Sequence, residues 1–162
     1  MAVVYVSIGS NVEPTLNINA AIEALKSLYG KLNLSPIYQN SAVGFDGDDF
    51  LNLVVEFNTE QSIADLVDSL HEIEAAQGRD RQSSKFSPRT LDMDLLLYDE
   101  VCFESPSVTI PRDEITKYAF VLQPLYDLIP HFVHPLEQRT IEALWEEFDK
   151  SDLQMKKVTL PA

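Results

Sequence analysis

The segment "TLDMDLLLY", residues 90–98, has the alternating pattern of a β-strand. Because successive side chains of a strand point to opposite faces, Asp92 and Asp94 are predicted to share one face, with Cα atoms roughly 6.5–7 Å apart. The apolar residues of the segment are predicted to point the other way, toward helices: Leu91, Met93, Leu95 and Leu97. The segment therefore predicts a strand that is buried on one face and acidic on the other.

The residues at the N-terminus predict two strands separated by a helix. A β-branched and aromatic run predicts a first strand that ends at Gly9. Pro14 suits the first turn of a helix, and apolar residues recur at helical spacing from there up to Gly30. A second strand is predicted over residues 32–43, with Pro36 marking an edge or a bulge.

A third strand and a second helix lead up to residue 90. Alternating apolar residues predict the strand over residues 50–58, and Ser62 is placed to cap a helix that Gly78 can close. Four elements are predicted after residue 98: a short hairpin strand over 101–103 that pairs with the fourth strand, a short helix over 115–130 stopped by prolines, a helix over 140–148 and an edge strand over 155–161.

The order β-α-β-β-α-β is typical of the ferredoxin-like arrangement. We therefore predict an α+β fold with an antiparallel sheet, helices packed on one face and extra C-terminal helices. No stretch rich in Gly, Ser or Pro separates two units, so one domain over residues 1–162 is expected.

The composition limits the partners of this domain. The chain has 162 residues, 45% of them apolar, and a net charge of −14, which disfavours nucleic acid and anionic membranes because both need a basic face. The N-terminus lacks the basic start and long apolar run of a signal peptide. Cys102 is the single cysteine, which fits a reducing cytosol and a cytoplasmic protein; a monomer is expected.

The charge is unevenly distributed. Residues 32–78 contain nine acidic and no basic residues, whereas residues 79–89 carry a net charge of +3. The four cations of this basic loop are Arg79, Arg81, Lys85 and Arg89. The loop is either a solvated surface segment or an anion site, and long loops of this kind often close over ligands.

The aspartate pair next to this loop favours the anion site. Two carboxylates on one strand face suit a pair of Mg²⁺ ions, which prefer a few carboxylates together with water and substrate phosphate. Solvated strand faces also produce this Asp-x-Asp pattern. No P-loop, GxGxxG or protein-kinase signature is present. The residues thus predict metal-assisted transfer from a nucleotide polyphosphate.

Five segments together resemble the 6-hydroxymethyl-7,8-dihydropterin pyrophosphokinase family: "YVSIGSN", "FLNLVVEF", "IEAAQGRDR", "SPRTLDMDLLLY" and "FVLQPLYDLIP". The resemblance runs from Val3 to about Pro130 with compatible spacing. It implies transfer of the diphosphoryl group of ATP to the pterin hydroxymethyl group, giving AMP and the pterin diphosphate in folate biosynthesis. The fold that it implies is the ferredoxin-like one.

The resemblance also implies site residues, matched position by position. Asp92 and Asp94 match the ligands of two Mg²⁺ ions, and with Arg79 and Arg81 they form the catalytic set. Six residues are expected to bind the nucleotide: Glu74, Lys85, Arg89, Thr109, Arg112 and Lys117. Four are expected to bind the pterin: Asn40, Phe45, Asn52 and Phe120, with the two aromatic rings stacking on its faces.

Four positions depart from the family pattern: Ser107, where some members carry a basic residue, Phe86, which replaces a loop tryptophan, and the pair Arg112 and Tyr118. Arg112 stands where the family has a histidine that reaches an ATP phosphate, and Tyr118 stands where it has an arginine, next to Lys117. Besides an active pyrophosphokinase, two hypotheses therefore stay open. One is a divergent paralogue that uses a related pterin or nucleotide, and the other is a non-catalytic pterin-binding module.

Overall fold

The computed structural model describes residues 1–40, 49–77, 91–151, 153 and 155–160. The described strands are β1 (Ala2–Ser10), β2 (Asn33–Leu34), β3 (Ile37–Asn40), β4 (Phe50–Thr59), β5 (Asp92–Tyr98), β6 (Phe103–Glu104), β7 (Thr109–Ile110) and β8 (Met155–Val158). The described helices are α1 (Pro14–Tyr29), α2 (Ile63–Ala76), α3 (Ala119–Leu128) and α4 (Ile141–Glu147), with a 3₁₀ turn at Asp113–Thr116.

Six of these strands form one sheet. Its order is β5-β1-β4-β3-β8, and β2 also pairs with β4. Every strand pairing in it is antiparallel. β6 and β7 form a separate two-stranded sheet. The protein therefore combines helices with an antiparallel sheet, as the coarse form of the sequence prediction had it.

Helices cover both faces of the large sheet. The first core lies between the sheet and α1 and α2, where apolar residues at helical spacing meet alternate strand residues: Val4, Val6, Ile8, Ile18, Ala21, Leu25, Leu66, Leu70, Met93 and Leu95. The second core lies on the opposite face, against α3 and α4: Tyr5, Val54, Leu96, Leu97, Val121, Leu122, Leu125 and Ile141. The C-terminal helices thus add a layer to the other face of the sheet. None of the described helices is long and apolar enough to cross a membrane.

A β-bulge corrects the predicted orientation of Leu97. Val6 pairs with Leu95 but Tyr5 pairs with Leu97, so Leu96 is an extra residue in β5. Because a bulge shifts the alternation by one position, Leu97 lies in the second core and not on the face of Met93.

The predicted second strand is interrupted at Ser35 and Pro36. β2 and β3 both pair with β4, but the two residues between them lie in neither strand. The Ser35 N–H donates to the Val54 carbonyl at 2.9 Å, and its Oγ accepts from the Val54 N–H at 2.9 Å. Pro36 cannot donate to a ladder, so the side chain of Ser35 takes over part of the pairing.

The elements near β5 include both confirmed and wrong predictions. The Ser62 side chain caps α2 by accepting from the Asp65 N–H at 3.2 Å, as predicted. The hairpin prediction is wrong in its partner, because Phe103 pairs with Ile110 of β7 and not with β5. Pro124 lies inside α3 and does not end it. The edge strand at the C-terminus is confirmed as β8.

Candidate active site

One row of residues crosses the centre of the sheet and reaches the face that α3 covers. Asp92 lies opposite Gly9, Gly9 opposite Asn52, and Asn52 opposite Tyr38. The Tyr38 hydroxyl donates to the carboxylate of Asp127 in α3. Because opposed residues of neighbouring strands share a face, Asp92 and Asn52 flank Gly9 on the face of the second core.

Gly9 leaves the space that the Asn52 side chain occupies. A Cβ atom on Gly9 would lie 2.6 Å from Asn52 Oδ1. Asn52 Nδ2 in turn donates to Asn40 Oδ1, and both asparagines are buried. The two carboxamides therefore form a fixed polar pair over the central strand, and its position depends on a glycine in β1.

The prediction that Asp92 and Asp94 share a face is confirmed by the alternation of β5. Met93 between them is 1% exposed and packs in the first core. Asp92 lies opposite Gly9 and Asp94 opposite Ser7 in β1. Both carboxylates thus lie on the face that carries the asparagine pair, one of them in the same row.

Arg112 is anchored to β5 beside these carboxylates. Its N–H donates to the Leu96 carbonyl at 3.0 Å. Its guanidinium Nη2 lies 3.5 Å from Asp94 Oδ1 and 2.6 Å from Glu114 Oε1. Nε also donates to Glu114 Oε1 at 2.9 Å. A cation is therefore held at the acidic pair by both its backbone and its side chain.

Burial, together with nearby carboxylates, raises the pKa of Asp94 to about 7. Burial contributes most, because it disfavours the charged carboxylate, and the negative charge of Asp92 adds to it. The guanidinium of Arg112 opposes the shift, whereas Glu114 and Glu74 add to it. The site thus concentrates more negative charge than its one described cation neutralises, which is the condition that favours binding of a further cation.

Glu74 lies behind the strand that carries the aspartates. Its side chain is fully buried, and Oε2 accepts from the Met93 N–H at 2.7 Å. The resemblance implies a glutamate near the nucleotide, but here the carboxylate contacts backbone between Asp92 and Asp94. A nucleotide contact by Glu74 stays a prediction that this burial does not favour.

Phe120 lies in the first turn of α3 and stacks on Tyr118. The ring centroids are 4.9 Å apart, with planes at 18°. Both rings are partly buried against the second core. Tyr118 departs from the family pattern, and it supports the ring that is expected to stack on the pterin.

Thr109 and Lys117 lie on either side of Arg112 along the chain. Thr109 is exposed in β7, where it pairs with Glu104. Lys117 Nζ forms an exposed ion pair with Asp113 Oδ2 at 2.8 Å. Neither residue has a contact in the structure that assigns it to a nucleotide, so both roles stay predictions.

Five predicted site residues lie outside the described residues: Phe45, Arg79, Arg81, Lys85 and Arg89. Within the described ranges, no group of three or more His, Cys, Asp or Glu side chains is arranged to hold a metal ion. Asp92 and Asp94 are the carboxylates that the sequence predicts as metal ligands, and that role stays a prediction. Such a pair is what Mg²⁺ uses when substrate phosphates complete its coordination.

The sequence did not identify Gly9 and Glu114 as site residues. A glycine inside a strand pattern signals close approach of another group, but the sequence pattern predicts Gly9 only as the end of the first strand. Glu114 follows Arg112 by two residues in an acidic turn, and nothing in the sequence distinguishes it from a solvated residue.

The chain is similar to known proteins in both sequence and fold. Residues 5–130 match the model of the family described as 7,8-dihydro-6-hydroxymethylpterin-pyrophosphokinase. The 2-amino-4-hydroxy-6-hydroxymethyldihydropteridine pyrophosphokinase of Pseudomonas aeruginosa is 40% identical over 131 residues, which cover 78% of this chain and 80% of the relative. The protein of the same name from Haemophilus influenzae is 31% identical over 159 residues, covering 96% and 99%.

Solved structures match in fold. A crystal structure of Plasmodium falciparum HPPK-DHPS superposes with a TM-score of 0.71 at 14% identity over 91% of this chain. This chain covers 44% of the length of that protein. A second HPPK-DHPS structure, in complex with substrates, gives a TM-score of 0.69 at 14% identity, covering 93% of this chain and 44% of that one. With the family match over residues 5–130, the chain belongs to the 7,8-dihydro-6-hydroxymethylpterin-pyrophosphokinase family.

Proposed function

We propose that this protein transfers the diphosphoryl group of ATP to 6-hydroxymethyl-7,8-dihydropterin in folate biosynthesis. A bond forms between the hydroxymethyl oxygen and the β-phosphorus, and the bond from that phosphorus to the oxygen of AMP breaks. The observation that carries the proposal is the shared face of β5, β1 and β4. It brings a carboxylate pair with a fixed cation next to a buried carboxamide pair.

The carboxamides are the groups that fit the pterin. A pterin edge alternates donors and acceptors, and an asparagine side chain offers both. Asn52 and Asn40 are buried and bonded to each other, so their orientation is fixed before a ligand binds. Phe120, supported by Tyr118, offers an aromatic face for stacking. Phe45 is proposed as the second aromatic residue from the resemblance alone.

The aspartates are the groups that fit two Mg²⁺ ions. Asp92 and Asp94 would hold them, and their oxygen donors match the preference of Mg²⁺. When bound, such ions neutralise charge on phosphate oxygens and polarise the transferring phosphoryl group. Arg112 neutralises part of the charge of Asp94, and its guanidinium is proposed as a contact of an ATP phosphate oxygen. Arg79, Arg81, Lys85, Arg89, Thr109 and Lys117 are proposed as further phosphate or nucleotide contacts from the resemblance.

The finer features of the fold and setting belong to the same proposal. The order β5-β1-β4-β3 corresponds to the ferredoxin-like arrangement, extended at the edge by β8. Residues 1–162 are proposed to form one domain that acts as a monomer. The single thiol, Cys102, is exposed and free, which supports a cytoplasmic location.

A coupled assay for AMP tests this function. With ATP, Mg²⁺ and 6-hydroxymethyl-7,8-dihydropterin, we expect one AMP for each pterin diphosphate formed. A 6-methyl pterin, which lacks the hydroxyl group, should give no AMP above background. A panel with GTP and related pterins tests the divergent paralogue that Arg112 and Tyr118 suggest. AMP formation that does not depend on any pterin would contradict the proposal.

A further inference from the structure

Glu74 is a buried carboxylate that the proposed reaction does not use. It lies in the last turn of α2, whose neighbouring residues Leu66, Leu70 and Ile73 pack in the first core. An acidic side chain in this apolar stripe is fully buried. Burying a carboxylate costs free energy because the charged group loses its water. We therefore expect the contact that Glu74 makes inside the protein to have a structural role.

Glu74 contacts the backbone of β5, the strand that carries Asp92 and Asp94. Glu74 Oε2 accepts from the Met93 N–H at 2.7 Å. Met93 is the residue between Asp92 and Asp94, and its partner in β1 is Ile8. Among the described strands, β5 lies at the edge of the sheet and pairs with β1 alone, while the Arg112 N–H bonds to its Leu96 carbonyl three residues after Met93. The Glu74 carboxylate thus holds the other side of the backbone at the aspartate pair.

An edge strand without this bond would be held less firmly at its acidic residues. The pairing of β1 and β5 is also irregular nearby, because the bulge at Leu96 interrupts the ladder. Metal-binding side chains need a fixed backbone, and groups that do not touch the metal commonly supply it. A charged acceptor forms a shorter and stronger bond with an N–H group than a neutral acceptor does.

We propose that Glu74 is a positioning residue for the carboxylate pair, holding the backbone between Asp92 and Asp94 through its bond to the Met93 N–H so that both side chains present to divalent cations. This inference rests on the proposed function. It differs from a nucleotide contact, because Glu74 acts from within the protein, on the face of β5 opposite the aspartates.

Three substitutions separate this role from others. Glu74→Gln keeps an acceptor at the same reach, Glu74→Asp keeps the charge but is one methylene shorter, and Glu74→Met removes the acceptor at similar volume. Leu70→Ala is the matched control, because it removes buried atoms from the same face of α2 and keeps the Glu74 carboxylate that accepts from the Met93 N–H. Calorimetry measures the affinity for Mn²⁺ in the presence of a non-hydrolysable ATP analogue. The AMP assay measures kcat and the KM for pterin.

We expect Glu74→Met and Glu74→Asp to lower the Mn²⁺ affinity and kcat at least tenfold, with the KM for pterin within about twofold of the parent. Glu74→Gln should lose about threefold or less, and Leu70→Ala should lose stability but keep its Mn²⁺ affinity. If Glu74→Met does not fold, Glu74→Asp decides the question by the same criterion.

Mn²⁺ affinity within twofold of the parent in folded Glu74→Met, or in Glu74→Asp, would overturn the proposal. A loss in Glu74→Gln as large as in Glu74→Met would overturn it as well, because charge and not the bond would then matter. If the parent itself forms no AMP, the proposed function fails, whereas a parent that forms AMP beside unaffected variants removes only the role of Glu74.

Discussion

Gly9 lies against the side chain of Asn52, and a single added methyl group tests whether this close contact positions the asparagine pair. A Cβ at 2.6 Å from Asn52 Oδ1 is too close for a van der Waals contact, so the carboxamide must move. For Gly9→Ala we expect the KM for pterin to rise about tenfold, which corresponds to about 1.4 kcal/mol. Val3→Ala, at an exposed position of the same strand, is the control. An unchanged KM would mean that Asn52 does not bind the pterin.

Asp94 links the site to stability because its pKa is raised to about 7. At pH values between the pKa of Asp94 in the unfolded chain and this raised pKa, the folded protein holds the Asp94 proton more tightly than the unfolded chain does. The unfolding free energy of the metal-free protein therefore falls as the pH rises from about 4 to about 7. The charged carboxylate opposes folding, and it is retained at a position where the proposed reaction needs it.

Asp94→Asn removes this ionisation. We expect the variant to be more stable than the parent by about 1–4 kcal/mol near pH 8, and close to it near pH 4, where Asp94 is protonated. Urea unfolding in EDTA measures both differences. Asp68→Asn, at an exposed position of α2, is the control and should change little at either pH. A parent that gains stability between these two pH values through Asp94 would contradict the assignment.

Sequence reasoning could identify those site residues whose chemistry is evident from residue type and spacing, without knowledge of the residues they contact. The paired aspartates stand out because carboxylates alternate with leucines in one strand. The contacts of Gly9 with Asn52 and of Glu74 with Met93 could not be predicted. Both join residues more than ten positions apart, and both depend on the register of strands and on how α2 lies over β5.

Among the elements, β5 shows where alternation is a sufficient guide and where it is not. The side chains from Leu91 to Leu95 follow the predicted pattern, whereas Leu96 and Leu97 both lie in the second core. The reason is the bulge, which is a feature of the pairing with β1 and cannot be predicted from a run of three leucines. The bulge does not change the orientation of Asp92 and Asp94, because it comes after them in β5.

The turn between α3 and α4 depends on a neutral histidine. His134 Nδ1 accepts from the N–H groups of Leu136 and Glu137, at 3.2 and 3.1 Å. Burial lowers the pKa of His134, although Glu137 opposes the shift. The folded state therefore binds a proton less tightly than the unfolded chain, and the stability that this residue contributes is lost as the pH falls below about 6.5.

His134→Leu should reduce the unfolding free energy near pH 7.5 by about 1–3 kcal/mol, because two partly buried hydrogen bonds from N–H groups lose their acceptor. The difference from the parent should shrink as the pH falls. Urea unfolding at several pH values measures it, with His131→Leu, at an exposed position, as the control. AMP formation by the folded variant should stay close to that of the parent. A difference that does not depend on pH would contradict the role of the imidazole.

At the scale of the whole molecule, the order of elements was predictable and the layering was only partly so. The β-α-β-β-α-β order follows from local patterns, and the elements up to β5 follow it except that the predicted second strand is divided into β2 and β3. Amphipathic spacing shows which side of α3 and α4 is apolar, but not which face of the sheet it covers. Because α3 and α4 lie on the second face, the candidate site lies on that face next to them. There α3 packs against Val54, and its Asp127 accepts a hydrogen bond from Tyr38, which belongs to the polar row of the site.

The central claim is that the carboxylates of β5 perform the metal-dependent part of diphosphoryl transfer. The most direct test is the rate of AMP release by Asp94→Ala with ATP, Mg²⁺ and 6-hydroxymethyl-7,8-dihydropterin, alongside a circular dichroism spectrum that shows the variant is folded. We expect the folded variant to lose at least about 1,000-fold in kcat, roughly 4 kcal/mol of transition-state stabilisation. AMP release near the rate of the parent would contradict the account.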